Sequence, residues 1–271
     1  MFRLVLSCAI GAVAGFSVGA SASDPWADRV EFYEPGAGVP AGYDDANVAL
    51  GSPTRYTGEG VFPGAVTPFN SPFLETEVVS IGRGGSLTVF FNEPVRNDPL
   101  NPFGIDLLIF GNSFYFDDDF PNGRAGALSS EGGLIEVSQD GLGWHTVVGI
   151  EADGLYPTLG YTDLTGPFDP NRGSVETDFT LPVDPSFDPS GRLFSEIVAG
   201  YNGSGGGAGV DIGLLNLDFI QYVRISNAID SATIPEIDGF ADVRAVPGSG
   251  AIGVLVAGGL FGARRRRGAT A

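Results

Sequence analysis

Glycine, proline and aspartate interrupt this chain so often that its apolar runs stop at the length of a β-strand. The 271 residues include 42 glycines and 19 prolines, a usage that favours turns over long helices. What remains between the turns has strand character. In SLTVFF, Leu87, Val89 and Phe91 fall on one face and Ser86, Thr88 and Phe90 on the other, the period of a half-buried strand. Residues 105–110, IDLLIF, are almost continuously apolar and suit a central strand covered on both faces. GLIEVSQDGLGWHTVV reads as a hairpin that turns at Asp140-Gly141. RVEFY (29–33), ETEVVSI (75–81), DFIQYVRIS (218–226) and FADVRAV (240–246) complete the set. In DFIQYVRIS, alternation puts Phe219, Gln221, Val223 and Ile225 on one face. Only 193–200, LFSEIVAG, has room for two helical turns.

Many short strands and turn-rich links predict an all-β fold: an antiparallel β-sandwich, jelly-roll-like, with long Gly/Pro-rich loops. Those loops are 34–73, 153–192 and 201–210. No fixed-period repeat points to a propeller or solenoid. The strands after GSGGGAG (203–209) are too few to fold alone, so one domain over 23–245 is expected. Short hydrophobic helices are expected at both termini.

The ends differ from the body. MFRLVLSCAIGAVAGFSVGASAS has Arg3, an apolar run and Ala20-Ser21-Ala22, the layout of a signal peptide over 1–22 with Ala20 and Ala22 at the cleavage site. The only cysteine, Cys8, lies inside that run, which leaves no disulfide, zinc–thiolate site or cysteine nucleophile in a processed chain. Residues 246–271 read VPGSGAIGVLVAGGLFGARRRRGATA. This is a short apolar stretch at the lower limit of membrane-spanning length, followed by arginines expected to stay cytoplasmic. All 14 basic residues are arginine, against 33 acids. Setting aside Arg3 and Arg264–Arg267 leaves 9 arginines and a body charge of −24. Such a field repels phosphate, so nucleic acid is excluded as a partner, and hard cations such as calcium are favoured.

The C-terminal layout resembles the PEP-CTERM family of bacterial sorting signals. Val246-Pro247, the apolar run and Arg264, Arg265, Arg266 and Arg267 match its pattern, while Gly248-Ser249 replaces the usual Glu-Pro. The resemblance implies export, handling by the export machinery and an exosortase-type sorting enzyme, transient or stable membrane contact through the tail, and a cell-surface or extracellular destination. The body segments LGSPTRYTGEG, SIGRGGSLTVFF, GIDLLIFGNSF, IEVSQDGLGWHTV and IQYVRISN…EIDGFADVRAV, taken in order, resemble a broad group of exported bacterial surface proteins. The EVS-DG-W hairpin is similar to discoidin-like and galactose-binding-like sandwiches. Calcium or glycan binding is what this resemblance implies.

Three functions stay open at this level. The leading expectation is a non-enzymatic cell-surface or matrix protein, calcium-stabilised and without catalytic residues. The second is a calcium-assisted carbohydrate-binding module for extracellular polysaccharide. The third is a jelly-roll glycoside hydrolase or lyase. Asp106, inside an apolar strand, must be paired, metal-bound or solvent-facing. With Glu136, Asp238 and Asp242 it forms the expected calcium set. Asp117 and Asp119, in the acidic loop FGNSFYFDDDFPNG, are the weaker loop alternative, since the EF-hand spacing fails. Tyr115 and Trp144 are the candidate sugar-stacking rings, with Tyr156, Tyr161 and Tyr201 also expected in or near loops. Glu236 and Asp238 are the carboxylate pair a glycosidase would need. The lone His145 lacks the company of a catalytic triad or metal centre.

Overall fold

The computed structural model describes residues 24–244. The expected signal peptide, tail, terminal helices and sorting residues (Ala20, Ala22, Val246, Pro247 and Arg264–Arg267) lie outside the described residues. Thirteen strands are formed within them: β1 Arg29–Glu34, β2 Tyr56–Thr57, β3 Gly64–Ala65, β4 Val79–Ser80, β5 Ser86–Arg96, β6 Leu107–Gly111, β7 Phe114–Asp117, β8 Ala125–Ser129, β9 Gly132–Ser138, β10 His145–Asp153, β11 Ala208–Val210, β12 Phe219–Ser226 and β13 Glu236–Asp242. One α-helix, α1 Phe194–Tyr201, occupies the stretch expected to make two turns.

The strands form an antiparallel sandwich. A five-stranded sheet, β1-β5-β12-β9-β10, faces a four-stranded sheet, β11-β6-β13-β4. Alternation decides which side chains meet between them. Leu87, Val89 and Phe91 of β5 point inward as expected. They join Ile135 and Val137 of β9, Val223 and Ile225 of β12, Leu107 and Ile109 of β6, and Ile237 and Phe240 of β13 in one buried core. β6 is covered on both faces. Its other side, Leu108 and Phe110, packs with Ile105, Phe179, Ala241 and Val243, partly under Trp26, and the Phe110 and Phe179 rings are 5.1 Å apart.

Two readings of the sequence are corrected in register. β12 shifts register between Ile220 and Tyr222, an irregularity that takes Gln221 off the apolar face. Ile220, Val223 and Ile225 are buried, while Phe219 and Gln221 are only half-buried. The last strand begins at Glu236 and ends at Asp242, four residues earlier than FADVRAV suggested. There the Ile237 side chain closes the core beside Val79.

The long connection between β10 and β11 builds a second core of its own. Leu159, Val183, Phe194, Ile197 and Tyr201 pack with Phe69, Tyr115 and Tyr156. Each tyrosine hydroxyl in it finds a carbonyl. Tyr115 donates to Leu155 at 2.8 Å, Tyr156 to Phe187 at 2.9 Å and Tyr201 to Pro157 at 2.9 Å. A chain with little helix and no cysteine in this region has few other ways to hold a long loop down, and a buried ring with a satisfied hydroxyl does so. Tyr115, Tyr156, Tyr161 and Tyr201 are all buried, so the exposure expected of these rings from their place in or near loops is corrected.

Phe240 has no exposed surface and sits at the centre of the inter-sheet core. Phe240→Ala should destabilise the fold by about 3–5 kcal/mol, read as a lowered urea midpoint with an unchanged slope.

Candidate functional site

Three carboxylates line one cavity where the chain passes repeatedly between the sheets. Glu131 lies just before β9, Asp153 ends β10 and Glu236 begins β13. With Asn112, Phe114, Ser129, Thr233, Ile234 and Pro40 they enclose about 370 Å³. The backbone brings them close for a local reason. Gly111 lies between Asp153 and the Glu236 main chain, and a Cβ there would come within 2.5 Å of Asp153 Oδ1 and 2.8 Å of the Glu236 carbonyl. Only glycine fits this close approach.

The three acids have different environments. Asp153 is fully buried. Its Oδ1 accepts the Ser113 N–H at 2.7 Å and its Oδ2 the Glu131 N–H at 2.9 Å. Burial nevertheless outweighs these donors, and the Asp153 carboxyl is pushed up to about 7. Glu236 accepts the Ser80 hydroxyl at 2.7 Å on Oε1 and the Asn112 amide on Oε2. Burial raises it as well. Glu131 is pushed up to about 7 by burial first, then by the charges of Glu236 and Asp153. Its main-chain carbonyl takes the Thr233 hydroxyl at 2.8 Å. Among the described residues no donor is bonded to its carboxylate. Near neutral pH the cavity therefore offers both carboxylate acceptors and carboxylic-acid donors, beside an amide and the Phe114 ring.

A larger cleft of about 1220 Å³ runs along the edges of β10 and β11. Its walls are mostly hydrocarbon, and several, such as Val148 and Leu214, are highly exposed. It lacks the convergence of perturbed acids that marks the smaller cavity.

The expected calcium set does not assemble as one group. Asp106 and Asp242 are neighbours at one end of the sandwich: the Val243 N–H donates to the Asp106 carbonyl at 2.9 Å. Glu136 lies on the outer face of the five-stranded sheet, bonded to Arg224 at 2.8 Å. Asp238 is buried elsewhere, accepting the Thr54 N–H at 2.8 Å and its hydroxyl at 2.9 Å. Alternation alone could not reveal that these acids serve separate loops. Glu236 and Asp238 take separate partners, Ser80 and Asn112 for the first and Thr54 on both oxygens of the second. Asp117 closes the β7–β8 turn, accepting from the Asp119, Arg124 and Gly123 N–H groups, while Asp119 is exposed. Among the described residues no three His, Cys, Asp or Glu side chains form a group placed to hold a metal ion.

Trp144 stays at the surface, just before β10. Arg224 stacks on its ring at 3.9 Å, and Tyr222 lies 6.5 Å away. His145 is exposed at the start of β10. Glu131 and Asp153 escaped the sequence reading. The signal they carried was an acid directly before glycine at a strand end, in EGG and ADG, where a bare backbone lets a loop approach a carboxylate. No known protein-family profile matches the chain, and no curated protein sequence matches it.

The perturbed acids set a pH dependence. Glu131, Asp153, Asp238 and Asp242 are all pushed up to about 7, against about 4 in an unfolded chain. Between these values the folded state holds protons that the unfolded chain has released, so stability falls as pH rises from about 4 to about 7. Asp169 works in the opposite sense. The Thr165 hydroxyl and the Asn171 N–H hold it down to about 2, and its contribution is lost as pH falls from about 4 towards 2. Thermal melts should therefore peak near pH 4–5, with a lower Tm at both pH 8 and pH 2.5. A Tm that climbs steadily from pH 5 to pH 8 would contradict this assignment.

Proposed function

We propose that this chain is an exported, non-enzymatic cell-surface or matrix protein whose sandwich binds a hydroxyl-rich ligand, with carbohydrate the favoured class. The cavity around Glu131, Asp153 and Glu236 carries the reading. Sugar hydroxyls both donate and accept, and a carboxylate, a carboxylic acid and an amide around an aromatic wall supply complementary partners. Trp144, half-exposed on the large sheet, is a second surface on which a sugar ring could stack. The export component rests on the two ends of the sequence. The jelly-roll-like description is supported by a chain that changes sheet repeatedly: β4 is in the small sheet, β5 in the large, β6 in the small, β9 and β12 in the large and β13 in the small. Calcium stabilisation belongs to the same proposal.

One observation favours a second reading. A carboxyl held protonated near neutral pH is what a glycosidase needs as general acid, and Glu131 has that character. A hydrolase would then use Glu131 and Glu236 rather than Glu236 and Asp238.

Glycan-array screening of the secreted protein, followed by calorimetry on the best hit, separates these readings. Binding without release of reducing ends is expected. Glu131→Gln should weaken it about tenfold, the loss of one charged hydrogen-bond partner. Hydrolysis that disappears in Glu131→Gln would replace the binding protein with an enzyme. Full-length protein retained in the cytoplasm of the native host would overturn the export component.

A further inference from the structure

The cavity lined by Glu131, Asp153 and Glu236 is rich in hydrogen-bond acceptors and poor in donors. Three carboxylates present about twelve lone-pair sites. Among the described residues they receive four donors: the Ser113 and Glu131 N–H groups on Asp153, and the Ser80 hydroxyl and Asn112 amide on Glu236. The Glu131 carboxylate receives none. The lining side chains that could donate are partly spent. Asn112 gives one amide N–H to Glu236, and the Thr233 hydroxyl goes to the Glu131 carbonyl at 2.8 Å. That leaves the Ser129 hydroxyl and the second Asn112 N–H for a ligand's acceptors. A ligand that fits must therefore donate more than it accepts.

The charge balance points the same way. No lining residue is basic. The ion pairs among the described residues are Arg29–Glu31, Arg55–Glu176, Arg172–Glu59 and Arg224–Glu136, and none involves the three acids. Carboxyls withdrawn from water without a counter-charge either keep their protons or take up a cation. The geometry selects the size of that cation. Among the described residues no three acids converge closely enough to hold a metal ion; these three are spread around a space of about 370 Å³. That volume is at the small end of ligand sites. It suits one sugar-sized ring, so the positive charge must sit on an organic body that reaches the separated acids.

We propose that this cavity takes an amino sugar with a free, protonated amine, its ammonium held by the carboxylates of Glu131, Asp153 and Glu236 and its ring against Phe114. The proposal rests on the sugar-binding reading and narrows it to one chemical class. An ammonium carries three donors and no acceptor, which is what the acceptor surplus calls for. The ring hydroxyls meet the Ser129 hydroxyl and the free Asn112 N–H, and the C–H face of the sugar packs on the Phe114 ring. The ammonium also supplies the missing counter-charge. Glu131 and Asp153 titrate at about 7, so near neutral pH a bound cation displaces protons from groups already close to their midpoint, at little cost. An N-acetylated sugar lacks both the charge and two of the three donors.

The test is calorimetry on the full chain at pH 7 with four probes: glucosamine, N-acetylglucosamine, glucose and cyclohexylamine. Glucosamine should bind about tenfold more tightly than either neutral sugar, the effect of one charge-assisted contact, and more tightly than cyclohexylamine, which has the charge without the hydroxyls. Glu131→Gln should erase most of the advantage over glucose. The variant should fold, because the Glu131 carboxylate takes no hydrogen bond from the described residues, and a thermal melt checks this. Glucose or N-acetylglucosamine binding as tightly as glucosamine overturns the proposal and leaves the sugar-binding reading standing. Cyclohexylamine binding as tightly as glucosamine overturns it by removing the sugar, and takes the sugar-binding reading of this cavity with it. A folded Glu131→Gln variant with an undiminished preference for glucosamine overturns the assignment to this cavity. No heat with any of the four probes overturns the proposal outright.

Discussion

The loops of this sandwich are tied to its sheets by carboxylates that accept backbone N–H groups. Asp153 holds the residues that follow β6 and β8, through Ser113 and Glu131. Asp106 holds the loop after β5 and the turn before β12, through Asp98 and Ile212. Asp238 holds Thr54, and Glu77 takes the Phe73 and Leu74 N–H groups with the Thr57 hydroxyl. Asp163 and Asp169 do the same within the long connection. Hydrogen bonds to ionised groups are the stronger kind, about 1.5–3 kcal/mol each. A chain whose only cysteine is Cys8 has no covalent alternative within the described residues.

This changes the meaning of the composition. An excess of acids over arginines reads most simply as a solvated surface. Several of the acids are instead among the least exposed residues in the molecule: Asp106 and Asp153 at 0 % and Asp238 at 3 %. Burying a carboxylate is tolerable when N–H groups meet its oxygens, and a loop-rich fold has an unusual supply of N–H groups without sheet partners. Glycine beside the acid completes the device, because a loop backbone can then come within hydrogen-bonding distance. The acidity and the glycine content are two sides of one way of folding.

The sheets were legible in the sequence because alternation is a local signal. SLTVFF reported its buried face and IDLLIF its cover on both sides, the hairpin around Asp140 reported the antiparallel pairing of β9 with β10, and α1 lay where two turns were expected. The strand with Gln221 misled because its register shift is set by the pairing with β5 and leaves no mark on its own pattern. The candidate site was less legible. Its acids come from three separate strand ends, and only Glu236 stood in a pattern that drew notice. The aromatic residues misled for the opposite reason. A tyrosine in a loop looks exposed until the loop is seen to have a core, and the second core exists because the β10–β11 connection is long enough to bury Tyr115, Tyr156 and Tyr201 against one another.

A carboxylate fully engaged by loop N–H groups is finished as a ligand; one with capacity left over is available for something else. That distinction sorts the acids of this protein better than their spacing does. Asp238 gives both oxygens to Thr54 and Asp117 gives both to its own turn, so neither has much left to offer a ligand. Glu131 contributes its N–H and its carbonyl to the scaffold and keeps its carboxylate free, which places an uncommitted acid at the mouth of a cavity built by committed ones. The same tie that fixes a loop also brings an unspent oxygen beside it, so the places where this fold holds its loops are the places where it can hold a ligand.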